Sequence, residues 1–271
     1  MKLGEVYKII DSVAPKALSD CYCANFGAYD NSGVLIDVGD DIRGVVFSLD
    51  FSWSAIEQAK KLDANLIVTH HPAIYGKISD LRVGDFQPLD EKLIACIRAG
   101  ISVVSMHLNL DVAKGGIDEC LQNAVYLSAG AGACSNAQTA IRHTVENGGY
   151  GRVYAVRETT LGSLVDGLKN TLQTQRVVVY GDVKSTVKKV ASFCGAGGDE
   201  NGVAFAVQQG ADTMVSADFK HHVIALALEK GLNVIALTHY ASEQYGFYQF
   251  YKKISESCAL PCVYHKDEAL L

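Results

Sequence analysis

The chain has 271 residues and a formal net charge of -6 at pH 7, and 49% of its residues are hydrophobic. This length allows one large domain or two small ones, and the negative charge argues against broad non-specific binding of nucleic acid. The N-terminus lacks the apolar centre of a signal peptide, and no uninterrupted apolar run reaches the roughly 18 residues of a membrane helix. We therefore expect a soluble, cytoplasmic protein in which Cys96, Cys120 and Cys194, each inside an apolar run, are reduced core residues.

A helix followed by a buried strand that ends in histidine is predicted three times. The predicted helices are residues 54–61, 91–99 and 223–230, and the strands that follow them are residues 65–69, 101–106 and 233–238. The apolar runs are continuous, which is typical of strands buried on both faces. Helices that alternate with such strands indicate an α/β fold.

The other predicted elements complete a second helix-and-strand region. They are a strand over 44–49 that ends at Asp50, a helix over 160–172, strands over 176–180, 188–194 and 211–216, and a helix over 201–209. The stretch 128–149, rich in Gly, Ala, Ser and Asn, is predicted to be a crossing loop or a boundary between two halves. Residues 195–198 form a glycine-rich turn that lacks the established phosphate-loop patterns, so we interpret it as a turn rather than a phosphate site.

Histidines and carboxylates follow the three strands of the repeated pattern. In open α/β sheets, ligands bind outside the carboxyl ends of the strands. The candidate metal ligands are His70, His71, His107, Asp111, His239 and Glu243. Pro72 favours a turn after the strand, which would let the neighbouring His70 and His71 share a site. In each of the other two clusters, a spacing of four brings the histidine and the carboxylate together on a helical turn.

Imidazole and carboxylate are suitable ligands for zinc, iron, manganese or nickel. Six ligands exceed what one tetrahedral ion needs, so two ions fit the number better. Each cluster alone has an ordinary explanation, such as a surface His–His pair, a core histidine or a hydrogen bond within a helix. Their placement at equivalent ends of three similar units favours metal binding. Lys220, His221 and His222 are weaker candidates for binding an anionic substrate, and we interpret His143 and His265 as structural.

At these residues the sequence resembles the Nif-three-like dinuclear metal-centre family, also called the GTP cyclohydrolase I type 2 homologues. The matching stretches are 30–35, the run up to Asp50, 66–76, 106–118, GGYGRV from Gly148, CGAGG from Cys194, 211–222 and 238–243. One departure is Tyr29, where the family usually has tryptophan.

The resemblance implies two similar, intertwined α/β halves with mixed sheets and a metal site at the strand ends between them. We assign the halves to residues 1–127 and 128–240, with a C-terminal helix and strand over 241–271 that return to the first half. It also implies that His70, His71, Asp111, His239 and Glu243 bind two divalent metal ions, that Glu243 bridges the ions, and that His107 is either a ligand or a partner of one. A homohexamer is implied as well.

The family name implies hydrolytic opening of the guanine ring of GTP. We therefore predict a metal-dependent hydrolase of a nucleotide or another phosphorylated small molecule. The alternative is a non-catalytic metal-binding or adaptor protein that acts through its oligomeric assembly. The sequence identifies no proton donor for the ring-opening reaction.

Overall fold

The computed structural model describes residues 1–84, 88–130 and 138–271. Its helices are α1 Leu3–Val13, α2 Lys16–Phe26, α3 Trp53–Lys61, α4 Pro88–Arg98, α5 Leu108–Val112, α6 Ile117–Ser128, α7 Leu161–Leu172, α8 Glu200–Gln208, α9 His221–Glu229 and α10 His239–Ser257, with a short 3-10 helix at Glu268–Leu270. Its strands are β1 Gly33–Ile36, β2 Val45–Ser48, β3 Leu66–Thr69, β4 Ser102–Ser105, β5 Ala140–Val145, β6 Gly148–Thr160, β7 Val177–Tyr180, β8 Thr186–Ser192, β9 Thr213–Ser216, β10 Asn233–Leu237 and β11 Cys262–His265.

The chain forms two compact units. The first unit comprises Met1–Ala113 and Phe247–Asp267, and the second comprises Lys114–Gly246 and Glu268–Leu271. The predicted halves, 1–127 and 128–240 with the returning segment 241–271, are divided at different residues and stay a prediction about domains. The compact units place helix α6 and the first two turns of helix α10 in the second unit.

The first unit contains a five-stranded sheet in the order β1-β4-β3-β2-β11. Strands β11, β2, β3 and β4 are parallel, and β1 pairs with β4 antiparallel, so the sheet is mixed. Every residue of β2, β3 and β4 is buried, and for β3 and β4 this confirms the burial that their continuous apolar runs predict. A core that includes Val46, Ile56, Ile67, Cys96 and Val103 holds α3 and α4 on this sheet. Burial of each of its valine and isoleucine side chains stabilises the fold by about 1.5–3 kcal/mol.

The second unit contains a six-stranded sheet in the order β5-β6-β8-β9-β10-β7. Strands β8, β9 and β10 are parallel, and β5, β6 and β7 are antiparallel to their neighbours. Its core includes Ala191, Phe193, Met214, Val223 and Val234. The α/β class with mixed sheets is therefore confirmed.

The three predicted helix–strand units are confirmed as α3–β3, α4–β4 and α9–β10, with ends shifted by a few residues. The prediction of a loop over 128–149 is wrong for part of that stretch. Residues 140–145 form strand β5, which pairs with β6 in a long hairpin, and residues 131–137 lie outside the described residues. The hairpin was missed because its strands are only partly buried and carry glycines at Gly148, Gly149 and Gly151.

Among the described residues, no helix is both long enough and apolar enough to cross a membrane. Cys96, Cys120 and Cys194 are buried, as expected for core residues.

Candidate metal centre

A backbone turn places His70 and His71 directly after strand β3. The carbonyl oxygen of Leu49, one residue beyond β2, accepts hydrogen bonds from the N–H groups of both histidines, at 3.1 and 3.0 Å. The Thr69 hydroxyl donates to the carbonyl of His71 at 2.8 Å. The chain therefore leaves the extended conformation at this point, which brings the two rings to a centroid distance of 4.9 Å.

His107 and Asp111 follow strand β4 in the same way. The N–H of His107 donates to the Ser32 hydroxyl at 3.0 Å, and the N–H of Asp111 donates to the carbonyl of His107 at 3.0 Å, which closes one helical turn. The predicted spacing of four is therefore realised on α5. One ligand atom each of His70, His107 and Asp111 lies within 4.8 Å of the others.

In the second unit, the start of α10 carries His239 and Glu243. Strand β10 ends at Leu237, and the Thr238 hydroxyl then accepts the N–H of Ala241 at 3.1 Å, as an N-cap residue does. His239 and Glu243 are one turn apart on this helix, and His239 Nε2 lies 3.0 Å from Glu243 Oε1. The Glu243 side chain is buried and that of His239 is 34% exposed.

The four candidate histidines share one feature: the Nδ1 atom of each has a hydrogen-bond acceptor. The acceptors are the Met106 carbonyl for His70 (2.8 Å), Asp50 for His71 (2.7 Å), Asp30 for His107 (2.7 Å) and Asp218 for His239 (2.6 Å). An acceptor at Nδ1 holds the proton there and leaves the Nε2 lone pair for a metal ion. Such partners accompany almost all histidines that bind metals.

The buried pair His70 and Asp111 shows why a cation fits this position. The Met106 carbonyl can only accept, so His70 Nδ1 carries a proton, and a neutral ring then presents a lone pair at Nε2. That atom lies 3.5 Å from Asp111 Oδ1, which is long for a hydrogen bond. Two ligand atoms at about 2.1 Å from one tetrahedral ion lie about 3.4 Å apart. The donor set and its spacing therefore fit a transition-metal ion.

The Asp30 carboxylate is held in its charged form. Burial by itself would raise the pKa of Asp30, but hydrogen bonds from His107, Ser19 and Ser32 outweigh burial and hold the pKa well below its usual range. For His107, burial lowers the pKa, while the bond to Asp30 and the nearby charge of Asp111 outweigh it and raise the pKa above the usual value. An ionised Asp30 makes the His107 ring a stronger donor of electrons to a metal ion.

The sequence did not reveal the partners Asp30, Asp50 and Asp218. Asp30 is 77 residues from His107, and the other two are each 21 residues from their histidines, so no local spacing connects them. Asp50 and Asp218 do follow the buried strands β2 and β9. A carboxylate after a buried strand is therefore the sequence signal that could have marked them as residues of the site.

The weaker candidates lie at the start of α9 in the second unit. Lys220, His221 and His222 are exposed at the start of α9, and His222 Nε2 lies 2.7 Å from Glu200. The glycines of the 195–198 turn are packed against protein: a side chain at Gly197 would collide with Phe193. The turn interpretation is thus supported over a phosphate site. His143 lies on β5 and His265 on β11, where His265 contacts Ser54 at 3.0 Å.

Comparisons with known proteins identify the family of this chain. Residues 1–266 match the family model described as Duf34/NIF3 (NGG1p interacting factor 3). The chain is 29% identical over 246 residues to a Clostridium perfringens protein named GTP cyclohydrolase 1 type 2 homolog, covering 90% of this chain and 87% of that protein. It is 28% identical over 240 residues to the NGG1-interacting factor 3 of Saccharomyces cerevisiae, covering 82% and 81%.

A solved structure has the same fold. The reduced form of HcgD from Methanocaldococcus jannaschii superposes with a TM-score of 0.77 at 26% identity, over 97% of both chains. The family model covers nearly the whole chain, and the predicted resemblance is confirmed. The protein therefore belongs to the Duf34/NIF3 family.

Proposed function

We propose that this protein binds two divalent transition-metal ions and uses them to hydrolyse a nucleotide or another phosphorylated small molecule. The observation that carries the proposal is the repeated arrangement at His70, His71, His107 and His239, in which an acceptor holds each Nδ1. Any buried histidine needs hydrogen-bond partners, but here the acceptor lies at the same nitrogen, Nδ1, in all four, as it does in histidines that bind metals through Nε2. The same arrangement at four histidines, with a buried carboxylate in each unit (Asp111 in the first, Glu243 in the second), favours metal ligation.

The proposed ligands are His70, His71, His107 and Asp111 from the first unit, and His239 and Glu243 from the second. Two ions are proposed because six donors exceed the needs of one, and Glu243 is proposed to bridge them, as the family resemblance implies. The nitrogen and oxygen donors suit zinc, iron, manganese or nickel. The acceptor on His107 supports a role for this histidine as a ligand.

Ions of this class polarise phosphoryl and carbonyl oxygens and lower the pKa of water. The protein supplies the fixed donors, and Asp30, Asp50 and Asp218 hold the ligand rings in place, so little reorganisation accompanies the reaction. GTP is the first nucleotide to test, because a relative is named a GTP cyclohydrolase 1 type 2 homolog. A family name does not determine the reaction, so other nucleotides and phosphate esters belong in the same screen.

The test is turnover by metal-loaded protein. The parent and an Asp111→Asn variant, each loaded with Zn²⁺, Mn²⁺ or Fe²⁺, are assayed against GTP, other nucleotides and generic phosphate esters. We expect hydrolysis by the parent and at least a 100-fold loss in the variant. Metal binding without turnover of any substrate class would contradict the hydrolase.

The second candidate function is that of a metal-binding adaptor. A yeast relative is named for an interaction with NGG1, which favours this alternative. Bound metal would then stabilise the protein and its assembly without hydrolysis of any substrate. The two functions are separated by the turnover screen.

We also propose a cytoplasmic homo-oligomer, with the hexamer implied by the family as the expected state. Light scattering across micromolar concentrations measures the mass. A monomer at all of these concentrations would contradict the assembly.

A further inference from the structure

The turn between β8 and α8 is fixed by hydrogen bonds to the N–H and carbonyl groups of two consecutive residues, Cys194 and Gly195. The N–H of Cys194 donates to Asp118 Oδ1 at 3.3 Å, and its carbonyl accepts the Tyr150 hydroxyl at 2.6 Å. The N–H of Gly195 donates to the Ser242 hydroxyl at 2.9 Å, and its carbonyl accepts the N–H of Ala217 at 3.2 Å. Four backbone groups in a row are thereby satisfied, so the turn has little freedom to shift.

Asp118 connects this turn to the rest of the second unit. Its side chain is fully buried, and its Oδ2 accepts the N–H of Gly151 at 3.0 Å and the Arg152 Nε–H at 2.9 Å. The Arg152 side chain is also buried. A buried ion pair with several hydrogen bonds allows few alternative arrangements, because moving either partner would leave a charge unpaired.

Gly195 lies so close to the proposed ligands on α10 that a side chain there would collide with them. Its φ is +54°, in the left-handed region, where glycine is favoured. A Cβ at this position would lie closer than 3.0 Å to Glu243 Oε1, and 3.3 Å from both Cε1 and Nε2 of His239. Ser242, which accepts the Gly195 N–H, is itself on α10, and its hydroxyl donates to the His239 carbonyl at 2.8 Å.

We propose that Gly195 is a positioning residue: the missing side chain leaves the space that the Glu243 carboxylate occupies, and the fixed turn holds that carboxylate beside His239. The inference rests on the proposed function, in which these two side chains bind metal. It goes beyond the ligand set, because Gly195 itself binds no metal. Gly195 instead sets the position of a proposed ligand oxygen, Glu243 Oε1. A methyl group at Gly195 would displace the Glu243 carboxylate from His239 Nε2.

The experiment compares Gly195→Ala with Gly210→Ala. Gly210 has a similar left-handed φ of +70°, but a Cβ there meets nothing within 4 Å. Both variants therefore carry backbone strain, and only one displaces Glu243. With Zn²⁺ or Mn²⁺ alone as the probe, we expect Gly195→Ala to bind one ion at least 10-fold more weakly, while Gly210→Ala binds like the parent. Equal metal affinity in Gly195→Ala and Gly210→Ala would overturn the inference.

A double-mutant cycle on the metal-free protein tests whether a side chain at position 195 collides with Glu243. Melting temperatures are measured in EDTA for the parent, Gly195→Ala, Glu243→Ala and the double variant. We expect the decrease caused by Gly195→Ala to be clearly smaller when Glu243 is already alanine, because the colliding carboxylate is gone. Additive decreases would overturn the inference. A parent that binds no metal would instead overturn the proposed function, and the cycle would still decide whether Gly195 positions the Glu243 side chain.

A milder variant covers the case in which Gly195→Ala does not fold. Ser242→Ala removes the acceptor of the Gly195 N–H and leaves both proposed ligands intact. We expect several-fold weaker binding of Zn²⁺ or Mn²⁺ with an unchanged circular dichroism spectrum. Unchanged affinity in this variant would count against control by the turn.

Discussion

The two compact units carry candidate metal ligands of the same kind, histidine and carboxylate, on different supports. In the first unit, the histidines follow two adjacent parallel strands, β3 and β4, and His70 is fully buried. In the second unit, His239 and Glu243 are on the first turns of one helix, and His239 is one third exposed. Ligands at buried strand ends are held by a whole sheet, whereas the helical pair depends on its spacing and on the glycine turn beside it. We therefore expect the first-unit ligands to contribute more to metal affinity.

The largest effect is expected from His70→Gln, which tests the buried side of this comparison. Glutamine keeps a polar side chain of similar length but replaces the imidazole nitrogen with a weaker amide ligand. We expect metal affinity to fall by more than 100-fold, since loss of a ligand should exceed the 10–100-fold cost of losing its partner. The measurement is competition with a chelator of known affinity.

The control for His70→Gln is His143→Gln. His143 lies on β5, and we interpret it as structural. Its replacement should leave metal content unchanged. If both variants retain the metal content of the parent, the first-unit site is wrong.

A second prediction concerns the helical side, through Glu243→Gln. The variant keeps the size of the side chain but removes the negative charge that a bridging carboxylate shares between two ions. We expect one of two ions to be lost, or bound far more weakly, while circular dichroism shows a retained fold. Elemental analysis beside the parent measures the stoichiometry. Two tightly retained ions would rule out the bridge.

A third prediction sharpens the comparison through the aspartates that hold the rings. Asp30→Asn and Asp218→Asn each replace a charged acceptor with a neutral amide. We expect metal affinity to fall 10–100-fold, and more for the buried Asp30 than for the half-exposed Asp218. Asp63→Asn, at a position 83% exposed, is the control and should bind metal normally. An equal loss in all three variants would show a general effect of charge.

The smallest expected effect is on the stability of the metal-free protein. Because the pKa of Asp30 is lower in the folded state, its ionised form stabilises the fold above the unfolded pKa of about 3.9. Asp30→Asn should therefore unfold more easily at pH 6, by about 0.5–1.5 kcal/mol, because the amide keeps part of the hydrogen bonding. The difference should shrink as pH falls below about 4, where the parent loses the same contribution. Urea unfolding of the parent and the variant at pH 6 and at a pH below about 4 checks this. A difference in unfolding free energy that is the same at the two pH values would contradict it.

The sequence predicted what depends on local pattern. Continuous apolar runs predicted β3, β4 and β10 as strands buried on both faces. Strands β3 and β4 are buried throughout, whereas Asn233 and Ala236 of β10 are only partly buried. The pairs His107/Asp111 and His239/Glu243 followed from helical spacing. Strand β5 was not predicted, because its residues are only partly buried and show no clear alternation.

The partners of the histidines depend on tertiary structure instead. Asp30 meets His107 only after β1 has paired with β4, and no pattern in the sequence contains that pairing. The same holds for the contact between Gly195 and Glu243. The candidate ligands were predicted from the sequence and stay a prediction, whereas the residues that hold their rings were found only in the fold.

Helix α10 has a further consequence for local stability, which amide hydrogen exchange can measure. Its later turns carry Phe247 and Phe250, both buried, and the ring of Phe250 lies 6.0 Å from that of Phe47. Amides in those turns should exchange only when the protein unfolds globally. The first turn, where one side chain is partly exposed, should open by local fraying. An ion held by His239 and Glu243 would suppress that fraying. Metal binding would then slow amide exchange at the start of α10 and leave exchange in the rest of the protein unchanged.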